Sequence, residues 1–327
     1  MENQKKLNRW LLDHHKELGL KATQVTWVKE WLPGFYDFQV SLSINNKTHI
    51  GRGLAENMDL AFTKAGAEAI ERAICVENSI GSCGVAVHTY LEKAQLNAKN
   101  ELIERDRFFC HYLTKTPFQK INIELAKINL EYILAKLNSY GVDLQFFKMT
   151  SLNKTKSVVC ISKGISSGLV LGLGASENID IAAKKAFTEC LTNTVAAINQ
   201  LIEPLSLDDF YSKQIVEPDD HRRLYSSTSK LIEQNSWIYK DKNNRDNIKK
   251  QNPEFAEESS FKYEILNSNH KILKNSPLTA IRCKNPHFQK SFYGEFDKKY
   301  INLNRLQVFS NNPIELNDLN LLPHPLG

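Results

Sequence analysis

From residue 36 to residue 44 the apolar side chains fall on every second position: Tyr36, Phe38, Val40, Leu42 and Ile44. A period of two predicts strand with one buried face, and Asn45-Asn46 supplies the turn of a hairpin over 35–50. Gly51-Arg52-Gly53 then reads as a tight turn that opens a long helix over about 57–76. Residues 79–90 read as a loop, and a second long helix is expected over about 91–113. Helical spacing recurs over 4–18, 120–138 and about 178–201. Strands are expected at 144–149, at 157–173 with a turn near Ser166-Ser167-Gly168, and at 261–266, 278–283 and 305–309. The stretch 213–258, rich in Lys, Asn, Asp and Glu, predicts a mixture of helix and mobile loop. This mixture of elements is α+β.

Two segments repeat each other. Residues 51–68 read GRGLAENMDLAFTKAGAE, and residues 172–189 read GLGASENIDIAAKKAFTE. Both fit G-x-G-x-x-E-N-x-D-x-A-x-x-x-A-x-x-E without a gap, eight fixed positions where chance supplies about one. The helical half recurs a third time: AQLNAKNELIER at 94–105 matches AFTKAGAEAIER at 61–72 through A-x-x-x-A-x-x-E-x-I-E-R. Unequal spacing of the copies argues against a solenoid. It predicts a pseudo-symmetric globular fold, with repeated strand–turn–helix units, mixed or antiparallel sheets and long Glu-bearing helices around a centre. The chain, residues 1–327, is expected to form one domain.

The repeat places Ala, Ala and Glu at i, i+4 and i+7, one stripe of a helix. Two alanines let that stripe approach a neighbouring backbone, which draws the Glu toward the packed side. One turn further stands a second carboxylate, giving the pairs Glu68/Glu71 and Glu101/Glu104, and Glu189 continues the pattern on the third long helix. A bland reading makes these exposed i,i+4 ion pairs, Glu68–Arg72 and Glu101–Arg105. Solvated faces need not keep one spacing, whereas a shared site would. Inward-facing carboxylates repel and stay ionised only beside a neutralising cation. Magnesium takes carboxylates together with phosphate oxygens, so a magnesium–nucleoside triphosphate fits the pattern, with Arg105 and Arg52 as cations for its phosphates.

Other chemistries lack a pattern. There is no G-x-x-x-x-G-K-[ST], no His-Glu-x-x-His, and no dinucleotide spacing among Gly168, Gly172 and Gly174. His14-His15, His221 and His324 are isolated and read as surface or packing histidines. A net charge of +5 is mild, and no basic run is interleaved with stacking aromatics, which argues against nucleic acid. No apolar run is long enough to cross a bilayer, and the polar start of the chain does not read as a secretion signal. Six scattered cysteines without a Cys-x-x-Cys pair point to a reducing cytoplasm.

In order and approximate spacing, the helix core at 61–72, the S-C-G-V-A loop at 82–86, the E-L-I-E-R-D run at 101–106 and the unit ending at Glu189 resemble the YcaO family. The resemblance runs from about residue 15 to the proline-rich segment 321–327. It implies the YcaO fold around a central nucleotide site. Glu68, Glu71, Glu101 and Glu104 would be magnesium ligands, Arg105 a phosphate contact and Ser82 part of the nucleotide loop. In azoline-forming members the proline-rich tail enters the active site, which marks Pro323, Pro325 and Gly327. The implied function is ATP-dependent cyclodehydration of a ribosomally made precursor peptide, turning Cys, Ser or Thr into thiazoline or oxazoline. Thioamidation, an accessory role in ribosomal-protein modification, and a pseudoenzyme that holds a peptide or partner are the alternatives.

Three departures from the family pattern stand out. Cys83 replaces a common Asn, though Cys-Gly with His88 downstream resembles the microcin-type azole synthetases. Thr192 and Thr194 stand where relatives often place Gln and Arg. The tail reads Pro-His-Pro-Leu-Gly against Pro-x-Pro-x-Pro. The chain resembles the catalytic half alone, so a ubiquitin-activating-like or TfuA-like protein that recognises the precursor is an expected partner. A flavin-dependent dehydrogenase and a homodimer are further expectations.

Overall fold

The amphipathic segment at the start forms α1 (Glu2–Asp13), which buries Leu7 and Leu11 and ends sooner than its polar–apolar pattern predicts. The structure, a computed structural model, describes residues 2–126, 128–226, 229–239 and 257–327. It divides into two compact units, Met1–Leu102 with Glu258–Asn285 and Ile103–Glu257 with Pro286–Gly327.

In the first unit β1 (Lys21–Gln24), β2 (Tyr36–Ile44) and β3 (Lys47–Ala55) form an antiparallel sheet, with the short α2 (Val28–Trp31) between β1 and β2. Asn45 and Asn46 both take positive φ, 52° and 61°, as a two-residue hairpin turn requires. Gly51-Arg52-Gly53 is not a turn: it lies inside β3, paired with Phe38–Val40 of β2. The physical reason is the helix α3 (Met58–Glu77) that follows. A Cβ on Gly51 would stand 2.1 Å from the carbonyl oxygen of Ala65, and one on Gly53 2.0 Å from that of Ala61. The glycines let strand and helix backbones touch, and Ala61, Ala65 and Ala69 face them fully buried. Asn57 caps the helix by accepting from the Leu60 N–H. Within the segment read as loop, β4 (Val85–His88) pairs antiparallel with β10 (Thr279–Lys284), which pairs in turn with β9 (Lys262–Leu266).

Helix α4 (Leu91–Thr114) carries the third repeat, and its residues 103–114 belong to the second unit. That unit holds the antiparallel sheet β5 (Gln119–Ile121), β6 (Val142–Lys148), β7 (Lys156–Gly164) and β8 (Gly168–Ser176) in that order. Residues 120–138, expected as one helix, divide into β5 and α5 (Leu130–Ser139). Helix α6 (Ile179–Ile198) covers one sheet face, where the Phe146 and Phe187 rings stack at 6.0 Å. As in the first unit, glycines bring helix and strand together: Cβ atoms on Gly172 and Gly174 would meet the carbonyl oxygens of Ala186 and Ala182 at 2.2 and 2.1 Å.

The other sheet face belongs to the large core of this unit, built from Phe108, Phe109, Tyr112, Phe147, Val159, Leu171, Phe210 and Tyr225 among others. Part of the polar stretch is helical: α8 (Pro218–Tyr225) and α9 (Ser229–Gln234), with α7 (Leu207–Ser212) just before it, carry Phe210, Leu224, Leu231 and Ile232 into that core. Its residues 227–228 and 240–256 lie outside the described residues. Residues 305–309, expected as strand, belong to helix α10 (Leu303–Ser310), where Arg305, Leu306 and Phe309 are buried at helical spacing and Asn302 caps the first turn.

Candidate functional site

The repeat gives each unit a carboxylate fixed by strand backbone. In the first unit the Arg52 N–H, from the edge strand β3, donates to Glu68 Oε2 at 2.8 Å. The other Glu68 oxygen accepts from Arg72 at 2.7 Å, the i,i+4 pair of the bland reading. Glu71, one turn on and half-buried, has its carboxyl pushed up to about 8, first by burial and then by the neighbouring Glu68 charge. The Val87 N–H of β4 and Arg72 draw it partly back. Burial, and then the charges of Glu71 and Glu101, push the Cys75 thiol up to about 12, which places Cys75 among these two carboxylates. Glu71 and Glu101 thus share a thiol kept protonated.

In the second unit Leu173 N–H, on the edge strand β8, donates to Glu189 Oε2 at 2.8 Å. The Ala175 N–H, two residues along, serves Glu104. An antiparallel edge strand turns alternate N–H groups outward, so α4 and α6 each supply a carboxylate to cap the same edge. Glu104 is 9% exposed. Burial raises its carboxyl to about 7, Arg105 and Lys185 oppose that rise, and Glu189 adds to it. Arg105 Nε stands 4.0 Å from Glu104. Lys185 donates to the Ala175 carbonyl at 3.2 Å, and Lys64 to Leu54 at 3.1 Å in the first unit. These two lysines are a further identity of the repeat, beyond its glycines, alanines and acids.

The remaining expected residues are placed differently. Arg52 offers its backbone to Glu68, while its guanidinium is held bidentate by the buried Asp37 at 2.5–3.1 Å and lies 5.0 Å from the Trp27 ring centroid. Neither Asp37 nor Trp27 is marked by the sequence, because nothing in a β2 aspartate predicts its partner across the hairpin. Ser82 is exposed in the turn before β4, its carbonyl accepting from Val85 at 2.9 Å. Cys83 is half-buried.

The proline-rich tail is seated in the core of the second unit. The Pro323 carbonyl accepts from the hydroxyls of Tyr112 and Tyr225 at 2.9 and 2.5 Å. Pro325 and Leu326 are buried, and Gly327 lies against the first turns of α8 at Pro218 and Arg222. His221 and His324, read as isolated, stack at 4.1 Å between ring centroids. His221 Nδ1 bonds the His324 carbonyl at 2.8 Å, and its Nε2 accepts from Gly294 N–H at 2.8 Å. His324 Nε2 bonds the Phe292 carbonyl at 2.7 Å, and its Nδ1 accepts from Leu326 N–H at 3.3 Å. Both rings are therefore neutral, and burial pushes both pKa values down, His221 to about 4.

Among the described residues, no group of three His, Cys, Asp or Glu side chains stands ready to hold a metal ion. In each unit taken by itself, a carboxylate suits a cation: the ionisation of Glu71 in the first and of Glu104 in the second is opposed by burial and by another glutamate. No helix among the described residues is long and apolar enough to cross a membrane.

A family model described as YcaO cyclodehydratase, ATP- and Mg2+-binding, matches residues 58–258, more than half of the chain. A heterocyclase solved in complex with substrate and cofactor is similar in fold, with a TM-score of 0.66 and 12% identity over 98% of this chain. The chain spans 57% of that protein's length. YcaO from Methanopyrus kandleri, solved bound with AMPPCP and Mg2+, has a TM-score of 0.61 and 11% identity, covering 91% of this chain and 96% of its own. No curated protein matches the sequence.

Proposed function

Because the chain belongs to the YcaO family, we propose that it uses ATP and magnesium to activate backbone amides of a ribosomally made peptide, closing Cys, Ser or Thr side chains into thiazoline or oxazoline rings. The observation that carries this reading is the cost of ionising Glu71 and Glu104, whose carboxyls burial raises to about 8 and about 7. A scaffold gains nothing from burying such groups, whereas a divalent cation with a polyphosphate lowers that cost. Magnesium and ATP would supply charge neutralisation and the phosphoryl group that carries off the amide oxygen.

On this reading Glu68, Glu71, Glu101 and Glu104 are the metal ligands. Strand N–H groups fix Glu68 and Glu189 in orientation, so neither reorganises when a cation arrives. Arg105 contacts phosphate, and Ser82 belongs to the nucleotide loop. The guanidinium of Arg52 is engaged by Asp37, so Arg52 serves through its main chain. Pro323, Pro325 and Gly327 shape the substrate end of the site. The peptide loses one water per ring: the attacking side chain and the amide nitrogen give up protons, and the carbonyl oxygen leaves with phosphate. A precursor-binding protein, ubiquitin-activating-like or TfuA-like, presents the peptide, and a flavin-dependent dehydrogenase follows where azoles are the product.

The test is to incubate the protein, ATP, magnesium and candidate precursor with such a partner and weigh the peptide. Loss of one water per site supports cyclodehydration. Exchange of oxygen for sulfur replaces it with thioamidation, and an unchanged peptide with consumed ATP removes the peptide assignment.

A further inference from the structure

Arg222 stands apart from the other arginines of the second unit. It lies on α8, and its NH1 reaches Asn193 Oδ1 at 2.9 Å. Asn193 is four residues beyond Glu189 on α6, so it occupies the same helix face one turn on. The guanidinium is thereby anchored one helical turn from the carboxylate that caps β8. Among the described residues it pairs with Asp219, an exposed side chain on the same helix, and such pairs are weak. Its Nε is buried, yet among the described residues it finds no hydrogen-bond partner. A buried guanidinium donor left unmet is costly, and an oxyanion is the natural group to meet it.

The tail ties this arginine to Arg105. Gly327 packs on the Arg222 stem: a Cβ there would lie 2.8 Å from Arg222 Cβ. Three residues earlier, His324 feels the charge of Arg105. Two arginines therefore flank the same short segment, and one of them, Arg105, acts on Glu104 together with Glu189. The adjacent Arg223 turns elsewhere, to Asp220 at 3.2 Å and the Glu203 carbonyl at 2.8 Å. Its donors are spent on structure.

We propose that Arg222 is a second phosphate-binding cation of the nucleotide site, contacting the polyphosphate from α8 while Arg105 contacts it from α4. The assignment rests on the reading of Glu104 and Glu189 as part of a magnesium–nucleotide site. A bidentate fork suits a phosphate better than an ammonium does, so lysine should replace Arg222 only in part. The unmet Nε donor then faces phosphate oxygen, and Asn193 holds the fork in register.

The test is calorimetric titration of the full chain with AMPPCP, AMP and adenosine in magnesium, using wild type, Arg222→Gln, Arg222→Lys, Arg223→Gln and Glu104→Gln. Melting temperatures are recorded for each. Arg222→Gln should weaken AMPPCP binding at least about tenfold while leaving adenosine within about twofold. Arg222→Lys should recover part of the loss, and Arg223→Gln should bind as wild type. If Arg222→Gln binds AMPPCP like wild type, or weakens AMPPCP and adenosine equally, the proposal is overturned. Glu104→Gln separates the two failures. If Glu104→Gln loses AMPPCP and Arg222→Gln does not, only the Arg222 assignment falls. If neither changes binding, the nucleotide site itself falls with it.

Discussion

The two hairpin–helix units, β2–β3–α3 and β7–β8–α6, share their scaffold and differ in their chemistry. Equivalent residues stand 121 positions apart: Gly51 and Gly172, Asn57 and Asn178, Lys64 and Lys185, Glu68 and Glu189. In both, glycines seat the helix on the strand, an Asn caps it, the Lys returns to a strand carbonyl, and a strand N–H holds the Glu. Beyond that Glu the copies part. Glu71 corresponds to Thr192, and Arg72, which pairs with Glu68, corresponds to Asn193, which receives Arg222. The first unit concentrates carboxylates, whereas the second joins carboxylates from two helices to arginines and a lysine. On the proposed reading, the first copy offers ligands to a cation and the second to a cation together with an anion.

The scaffold half of this comparison is the easiest to break. Gly51→Ala and Gly172→Ala each push a methyl group to about 2.1–2.2 Å from a helix carbonyl oxygen. Each should cost about 3 kcal/mol or more in chemical denaturation, and by similar amounts. A harmless substitution in either copy would mean that strand–helix contact does not demand glycine there.

The chemical half is sharpened by pH. An acid whose pKa is raised by folding weakens the fold wherever it must ionise. Without metal, stability should therefore fall as pH rises from 4.5 toward about 7 at Glu104 and about 8 at Glu71. Magnesium binds the ionised form, so it should raise Tm by a few degrees more at about pH 8 than at about pH 6. In Glu104→Gln that difference should shrink. A metal effect equal at both pH values would contradict it. The smallest effect concerns the caps: Asn57→Ala and Asn178→Ala should each cost about 1 kcal/mol, and a marked inequality would show that the two helix starts are not equivalent.

Much of this was legible in the sequence because the repeat and the periodicities are local signals. Asn45-Asn46, the long helices and the Glu pairs emerge from spacing alone. Gly51-Arg52-Gly53 was misread because a glycine pair looks the same in a tight turn and in a strand pressed by a helix. Strand β4 is four residues long, and its partner β10 lies nearly two hundred residues away, so no local pattern announces it. Residues 305–309 look strand-like because the burial of Arg305 beside Asp106, at 3.0 Å, masks the apolar period of α10. His221 and His324 look isolated for the same reason as Asp37 and Arg52. Their partners are chosen by tertiary packing between residues that sequence distance separates.

The central claim is that Glu71 and Glu104 are held in place to meet magnesium and a nucleotide. Its most direct measurement is titration of the folded full-length chain with AMPPCP, with and without magnesium, beside Glu71→Gln and Glu104→Gln. The account predicts magnesium-dependent binding in wild type and a loss of at least about tenfold in each variant at unchanged circular dichroism. Binding of equal strength in wild type and folded variants, or binding indifferent to magnesium, would contradict it.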